Sequence, residues 1–197
     1  MFICVEWFSY IIYLNFLWVL FTLVGLLVFG IFPSTTAMFA VTRKWVNGER
    51  DISIWAVFWR TYVSCFWKIN LLGSIFVGSG VVIFADFFFL RSTHSLLGHW
   101  IHLGLLPVMI VYFVTLLYIF PVYVHYDTKT FQYLRNSFVI GLRQPLQTLA
   151  LLLILYVFFS VIRGIVPFFC ISTMSVLIMW IANRGFRKFP TSKQTEL

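Results

Sequence analysis

His99 and His102 lie three residues apart, a spacing that sets two imidazoles on one helix face, where a metal ion could join them. No carboxylate or cysteine completes a ligand set nearby in sequence, so the pair reads as polar residues at an interface. The three cysteines, Cys4, Cys65 and Cys170, are odd in number and form no CxxC pair. They indicate neither a disulfide framework nor a zinc site, and read as small apolar residues in or near lipid. Asp86, with Arg91 five residues on, is the kind of charge that marks a transport path when it lies within a membrane. Asn15 and Asn70 are polar groups able to bond between helices. Walker A, GxSxG and HExxH patterns are absent, and six acidic residues leave little for paired acid–base chemistry. The expectation is a protein that is not an enzyme and carries no cofactor or metal.

The elements that hold these residues are built for lipid. The 197 residues are 61% hydrophobic and 10% charged, with a mean hydropathy of +0.96. Soluble domains are about 45–50% apolar and about 25% charged. Aromatic residues make up 21% of the chain, which suits a lipid-facing surface with Trp and Tyr at its borders. A net charge of +8 raises the question of nucleic acid. The Lys and Arg residues sit instead in short breaks between apolar runs, where they orient a membrane protein, so no nucleic-acid partner is expected.

Five apolar segments emerge, at about 11–32, 69–90, 100–123, 146–162 and 165–182. The first lacks the basic n-region of a signal peptide and is too long for its apolar core, so it reads as a retained span. Residues 146–182 taken as one helix would run about 55 Å, almost twice the hydrocarbon thickness. Arg163, Gly164 and Pro167 interrupt them, so a helical hairpin is the better reading. With the N-terminus outside and the C-terminus inside, every one of the 14 Lys and Arg residues except Arg91 and Arg163 falls on the inner side. The expected fold is all-α: a single polytopic membrane domain over residues 1–185 with about five spans, N-out and C-in, and a short polar cytoplasmic tail at 186–197.

The inner segments have their own pattern. In residues 52–68, Trp55, Phe58, Trp59, Tyr62, Val63 and Phe66 recur at helical spacing, with Arg60 and Lys68 interspersed. Residues 130–144 set Phe131, Leu134, Phe138 and Leu142 against Arg135 and Arg143. Both read as amphipathic helices at the cytoplasmic interface. Phe32-Pro33 and Phe120-Pro121 each end a span before such a segment, so the chain resembles two parallel copies of one unit. Small residues, including Ser74-x-x-x-Gly78 and Gly25 with Gly30, allow close helix packing, within one chain or in a homo-oligomer.

The densest motif runs from Phe32 to Asp51. Pro33 kinks or ends a helix, Ser34, Thr35 and Thr36 can cap a new one over Ala37 to Trp45, and Asn47-Gly48 can stop it. Arg43 and Lys44 near that end suit the helix dipole. This stretch (FPSTTAMFAVTRKWVNGE), with Asn15-Phe16-Leu17-Trp18 before it and Trp59, Lys68 and Asn70 after it, resembles the YesL-like family of bacterial integral membrane proteins. The resemblance is close over residues 15–73 and compatible in layout to about residue 185. It implies a multi-pass protein of the bacterial cell membrane. Because such proteins are often encoded beside carbohydrate ABC transporters, it also implies an accessory role in sugar uptake. Pro33, Thr35, Ala37, Arg43, Lys44, Trp45, Gly48, Glu49, Trp59, Lys68 and Asn70 then form a docking or structural motif. The partners to expect are the bilayer, transporter subunits or a second copy. The alternative is a small secondary transporter or channel made of two repeat-like halves, with Asn15 and Asp86 as its intramembrane polar groups.

Overall fold

The computed structural model describes residues 2–49, 51–91, 96–126, 130–143, 148, 153 and 167–188. Helices account for nearly all of them: α1 (Phe2–Val24), α2 (Val28–Val46), α3 (Ile54–Arg91), α4 (Leu96–His125), α5 (Thr130–Arg143) and α6 (Pro167–Lys188). Three stretches are long and apolar enough to cross a membrane, Trp7–Val24, Ile54–Phe89 and Leu103–His125, and most of each lies on the outside of the bundle. The apolar part of α6, Ser172–Asn183, is shorter. The expected span at 146–162, the turn at Arg163-Gly164 and the tail beyond residue 188 lie outside the described residues.

The first apolar run is not one crossing that ends at Pro33. The chain turns at Gly25-Leu26-Leu27 and comes straight back as α2. Trp7 meets Trp45 edge-on at 5.7 Å, the Trp18 indole donates to the Thr35 hydroxyl at 3.1 Å, and Gly25 lies against Gly30. These pairs move in opposite directions along the two helices, so the hairpin is antiparallel and the start of α1 shares an end of the bundle with Arg43. That departs from the expected layout, in which the N-terminus lay opposite Arg43. The turn carries none of the usual polar turn residues. Leu26 and Leu27 take left-handed φ values of 57° and 60°, a conformation costly for a side chain with a Cβ. The amides of Gly25, Leu26, Leu27 and Val28 all bond to nearby carbonyls, so the turn needs no water.

α2 carries several polar residues and is nonetheless largely enclosed. Gly30, Pro33, Ser34 and Thr36 to Thr42 are buried along α2, which packs against α1, α3, α4 and α6. The helices packed around it shield its polar residues, which explains why its composition reads as a loop. Pro33 stands inside α2 and neither ends it nor starts another. Ser34, Thr35 and Thr36 are therefore interior residues rather than caps. The Thr35 and Thr36 hydroxyls bond back to the carbonyls of Ile31 and Phe32. At the other end the expected stop is real. Gly48 has φ +95°, its amide bonds to the Trp45 carbonyl, and the Glu49 amide bonds to that of Lys44, which is a Schellman closure.

Residues 52–68 do not form a separate interfacial helix, because α3 runs unbroken through 38 residues, about 57 Å. A core of about 30 Å covers roughly half of that. Trp55, Trp59 and Trp67 lie exposed along its first half, and the Trp55 and Trp59 rings stack at 6.4 Å. The second expected interfacial helix, α5, folds back along α4 instead. Tyr133 meets Tyr123 at 4.7 Å, and Gly141 sits against Val114 and Tyr118. α4 lies beside α2 and parallel to it: Phe39 stacks on Phe120 at 5.9 Å and 3°, and Arg43 reaches Val124. The two Phe-Pro pairs thus fall inside neighbouring parallel helices, and each helix continues past its proline.

α6 closes the bundle. The Asn15 amide donates to the Ile11 carbonyl at 3.1 Å, and its oxygen accepts the Ser172 backbone N–H at 3.2 Å. The Asn183 amide donates to Asn47 at 3.1 Å. Replacing Asn15 with leucine removes this helix-to-helix bond to the Ser172 amide and is expected to cost about 1 kcal/mol. Thermal unfolding in detergent should show a lower midpoint for Asn15→Leu than for the wild type. An unchanged midpoint contradicts the tether.

Candidate functional site

A cleft of about 360 Å³ opens at the end of the bundle where α2 stops, α3 begins and α4 meets α5. α2 contributes Thr36, Ala40, Arg43 and Lys44, and its closing turn adds Asn47 and Glu49. Along α3 the lining residues are Val57, Arg60, Thr61, Ser64, Cys65 and Lys68, a stripe at alternate spacings of three and one that is one face of a helix. The Trp stripe of α3 points elsewhere. Tyr123, Val124, Tyr126 and Tyr133 close the wall from the α4–α5 side.

Among the described residues, four cations face this space and one carboxylate answers them. Glu49 pairs with Lys44 at 3.5 Å. Arg43 donates to the carbonyl of Val124 and so ties the end of α2 to the end of α4. Arg60 and Lys68 are exposed and form no hydrogen bond or ion pair with any described residue. Substituting lysine for Arg43 keeps the charge but loses the planar fork that reaches Val124, at an expected cost of about 1 kcal/mol. Thermal melting of Arg43→Lys beside the wild type measures that loss, and equal midpoints would remove the tie.

Of the residues singled out in the sequence, Arg43, Lys44, Glu49 and Lys68 come together here. Trp45 packs between Trp7 and Tyr10 instead, and Ala37 is fully buried against α1. Thr35 accepts the Trp18 indole, Gly48 forms the closing turn and Trp59 stacks on Trp55. Asn15 and Asn70 bond elsewhere in the bundle, and Asp86 is exposed near the far end of α3. Pro33 and Asn70 form a pair of their own. Proline has no N–H to give the carbonyl four residues back, which is that of Phe29. The Asn70 amide donates to that carbonyl at 3.0 Å and to the Phe66 carbonyl at 2.9 Å. Among the described residues, no group of three His, Cys, Asp or Glu residues gathers as a metal site.

Arg60, Thr61, Ser64 and the three tyrosines were not among the expected site residues. The α3 stripe had a signal, since Arg60, Ser64 and Lys68 are each four apart and share a face. The tyrosines had none, because only the return of α5 along α4 brings Tyr133 beside Tyr123.

The profile of a family described as a protein of unknown function, DUF624, matches residues 11–87. Three curated proteins of Bacillus subtilis (strain 168) are similar over most of the chain. Uncharacterized protein YteU is 37% identical across 89% of this chain and 80% of its own. Uncharacterized protein YesV is 34% identical across 90% and 87%. Uncharacterized protein YesL is 32% identical across 97% and 91%. No solved structure matches the chain.

Proposed function

The chain belongs to the YesL-like family, DUF624, and from that membership we propose that it is a multi-pass membrane protein that works by association rather than catalysis. It serves as an accessory to carbohydrate uptake by contacting the membrane subunits of an ABC transporter. The observation that carries the membrane reading is the pairing of three long apolar helices with faces left uncovered by the bundle. Exposed Phe16, Leu20, Val63, Val81, Val82, Phe88 and Ile110 belong in lipid, where their exposure costs nothing. The end bearing Arg43, Lys44, Arg60 and Lys68 faces the cytoplasm by the positive-inside bias. The antiparallel α1–α2 hairpin then sets the N-terminus on the cytoplasmic side too, and α2 crosses as a helix shielded from lipid.

The accessory role draws on the family resemblance and on where polar structure collects. Asn15 and Asn70 are bonded into the bundle, and the basic cleft lies at the inner end, within reach of cytoplasmic and membrane partners. The test is quantitative affinity purification of the tagged chain in mild detergent. Permease subunits of a carbohydrate transporter should co-purify above an unrelated membrane protein used as control. Their absence, with the chain itself recovered intact, sinks the accessory role.

A second reading, a small transporter with two repeat-like halves, is favoured by one observation. α2 and α4 are parallel neighbours, each with a Phe-Pro pair inside it. It requires solute flux in liposomes that contain this chain alone, and flux at background removes it.

A further inference from the structure

We propose that the inner cleft is a binding site for a phosphate group, carried either by a small solute or by a lipid headgroup. Three features of the cleft point to that chemistry. The first is charge. Among the described residues, Arg43, Lys44, Arg60 and Lys68 face one space and only Glu49 offsets them, so the described lining has three more positive than negative groups. A single carboxylate would leave most of that excess unmet. A phosphomonoester brings about −1.5 to −2 at neutral pH and three strong acceptor oxygens.

The second feature is the arrangement of donors. Arg60 and Lys68 project from one face of α3, two turns apart, and neither is committed to a described residue. Arg43 is held at the opposite wall by the Val124 carbonyl, which fixes a guanidinium before any ligand arrives. Thr61 and Ser64 lie between Arg60 and Lys68 on the same stripe, with the Ser64 hydroxyl donating to the Thr61 carbonyl at 3.0 Å. Guanidinium forks and ammonium groups are donors that recur around phosphate.

The third feature is size and setting. A volume of about 360 Å³ lies at the lower end of the range for small-molecule sites, about 300–1,000 Å³. Tyr123, Tyr126 and Tyr133 give one wall amphipathic rings, suited to the organic part of a phosphate ester. The cleft is at the mouth of the bundle where α3 leaves the lipid. A free solute can enter from the cytoplasm, and a headgroup can enter from the inner leaflet, where juxtamembrane cations attract anionic lipid. Phosphate binding here needs no transporter to be present, so its outcome and that of the co-purification are independent.

The experiment uses the full chain in nanodiscs. In one arm the lipid is phosphatidylcholine alone and glycerol 3-phosphate is titrated by calorimetry, with glycerol as the uncharged control. In the other arm the discs carry phosphatidic acid at a low mole fraction, and native mass spectrometry counts the lipids retained. The variants are Arg60→Gln, Lys68→Gln and the pair together. These side chains are exposed and bonded to nothing described, so the variants should melt as the wild type does.

Saturable binding of glycerol 3-phosphate but not glycerol identifies a free phosphate ester as the ligand class. Selective retention of phosphatidic acid with no response to glycerol 3-phosphate identifies a headgroup. In whichever arm responds, the double variant should weaken binding about ten- to hundredfold, and raised salt should weaken it too. If neither probe binds above its control, or if the double variant binds as tightly as the wild type, the cleft is not a phosphate site. Should a double variant fail to fold, either single variant is decisive, with an expected loss of about tenfold.

Discussion

Gly30→Leu is expected to destroy the native bundle. A Cβ at position 30 would stand 2.3 Å from the Thr22 carbonyl oxygen, 2.8 Å from the Thr22 Cα and 2.9 Å from the Phe21 oxygen. All three are backbone atoms, so no side chain can rotate away. The hairpin would have to open, and it is the hairpin that holds Phe21 against Trp55, Phe58, Trp59 and Tyr62. Overpacking of a well-filled core costs about 1–3 kcal/mol, and a backbone clash belongs at or beyond the upper end. Gly78 supplies the control, since a Cβ there meets nothing within 4 Å. Gly78→Ala should be neutral or slightly stabilising, because alanine is the better helix former. Thermal unfolding in detergent, followed by tryptophan fluorescence, separates the two. Gly30→Leu melting beside Gly78→Ala would mean that the α1–α2 turn does not exist as described.

The second large effect is conditional on another residue. Asn70→Leu removes the donor that the Phe29 carbonyl receives in place of the amide Pro33 lacks. With the hairpin tip in the bilayer, as proposed above, no water is at hand to replace it, so a cost of about 2 kcal/mol is expected. In a Pro33→Ala background the new amide at position 33 can bond to Phe29 within the helix. There Asn70→Leu should cost only about a few tenths of a kcal/mol, giving a coupling of more than about 1 kcal/mol in the double-mutant cycle. Additive effects of the two substitutions would show that the proline and the asparagine do not share that carbonyl.

Helices long and apolar enough to cross a membrane were legible from composition and from the length of the apolar runs. What misled was the chemistry of particular joints. Gly25-Leu26-Leu27 carries no Asn, Asp, Ser or Pro, and the turn bonds its amides internally instead. Residues 11–32 therefore looked like one span. Pro33 looked like an end because proline usually breaks a helix, and the donor that makes it tolerable lies 37 positions away at Asn70. Ser34, Thr35 and Thr36 looked like caps for the same reason. Lys68 looked like a border between an interfacial helix and a span, yet a cation on a face that opens to a cleft interrupts nothing. The stop at Asn47-Gly48 was readable because its signal is local.

The cleft divides along the same line. Arg43, Lys44, Glu49 and Lys68 could be singled out by type and position. Arg60, Thr61 and Ser64 follow once α3 is known to be one helix with a polar stripe. Tyr123, Tyr126 and Tyr133 depend on how α5 packs on α4, a tertiary fact with no sequence period behind it.

Everything functional rests on the chain entering the membrane as a hairpin, with its N-terminus and its basic cleft on one side. Single cysteines at Phe2 and Glu49, in a background with Cys4, Cys65 and Cys170 replaced by alanine, test that directly with a membrane-impermeant maleimide. Both positions should label in inverted vesicles and stay protected in intact spheroplasts. Labelling of Phe2→Cys from outside and Glu49→Cys from inside would mean that the first apolar run crosses once, and the hairpin would be wrong.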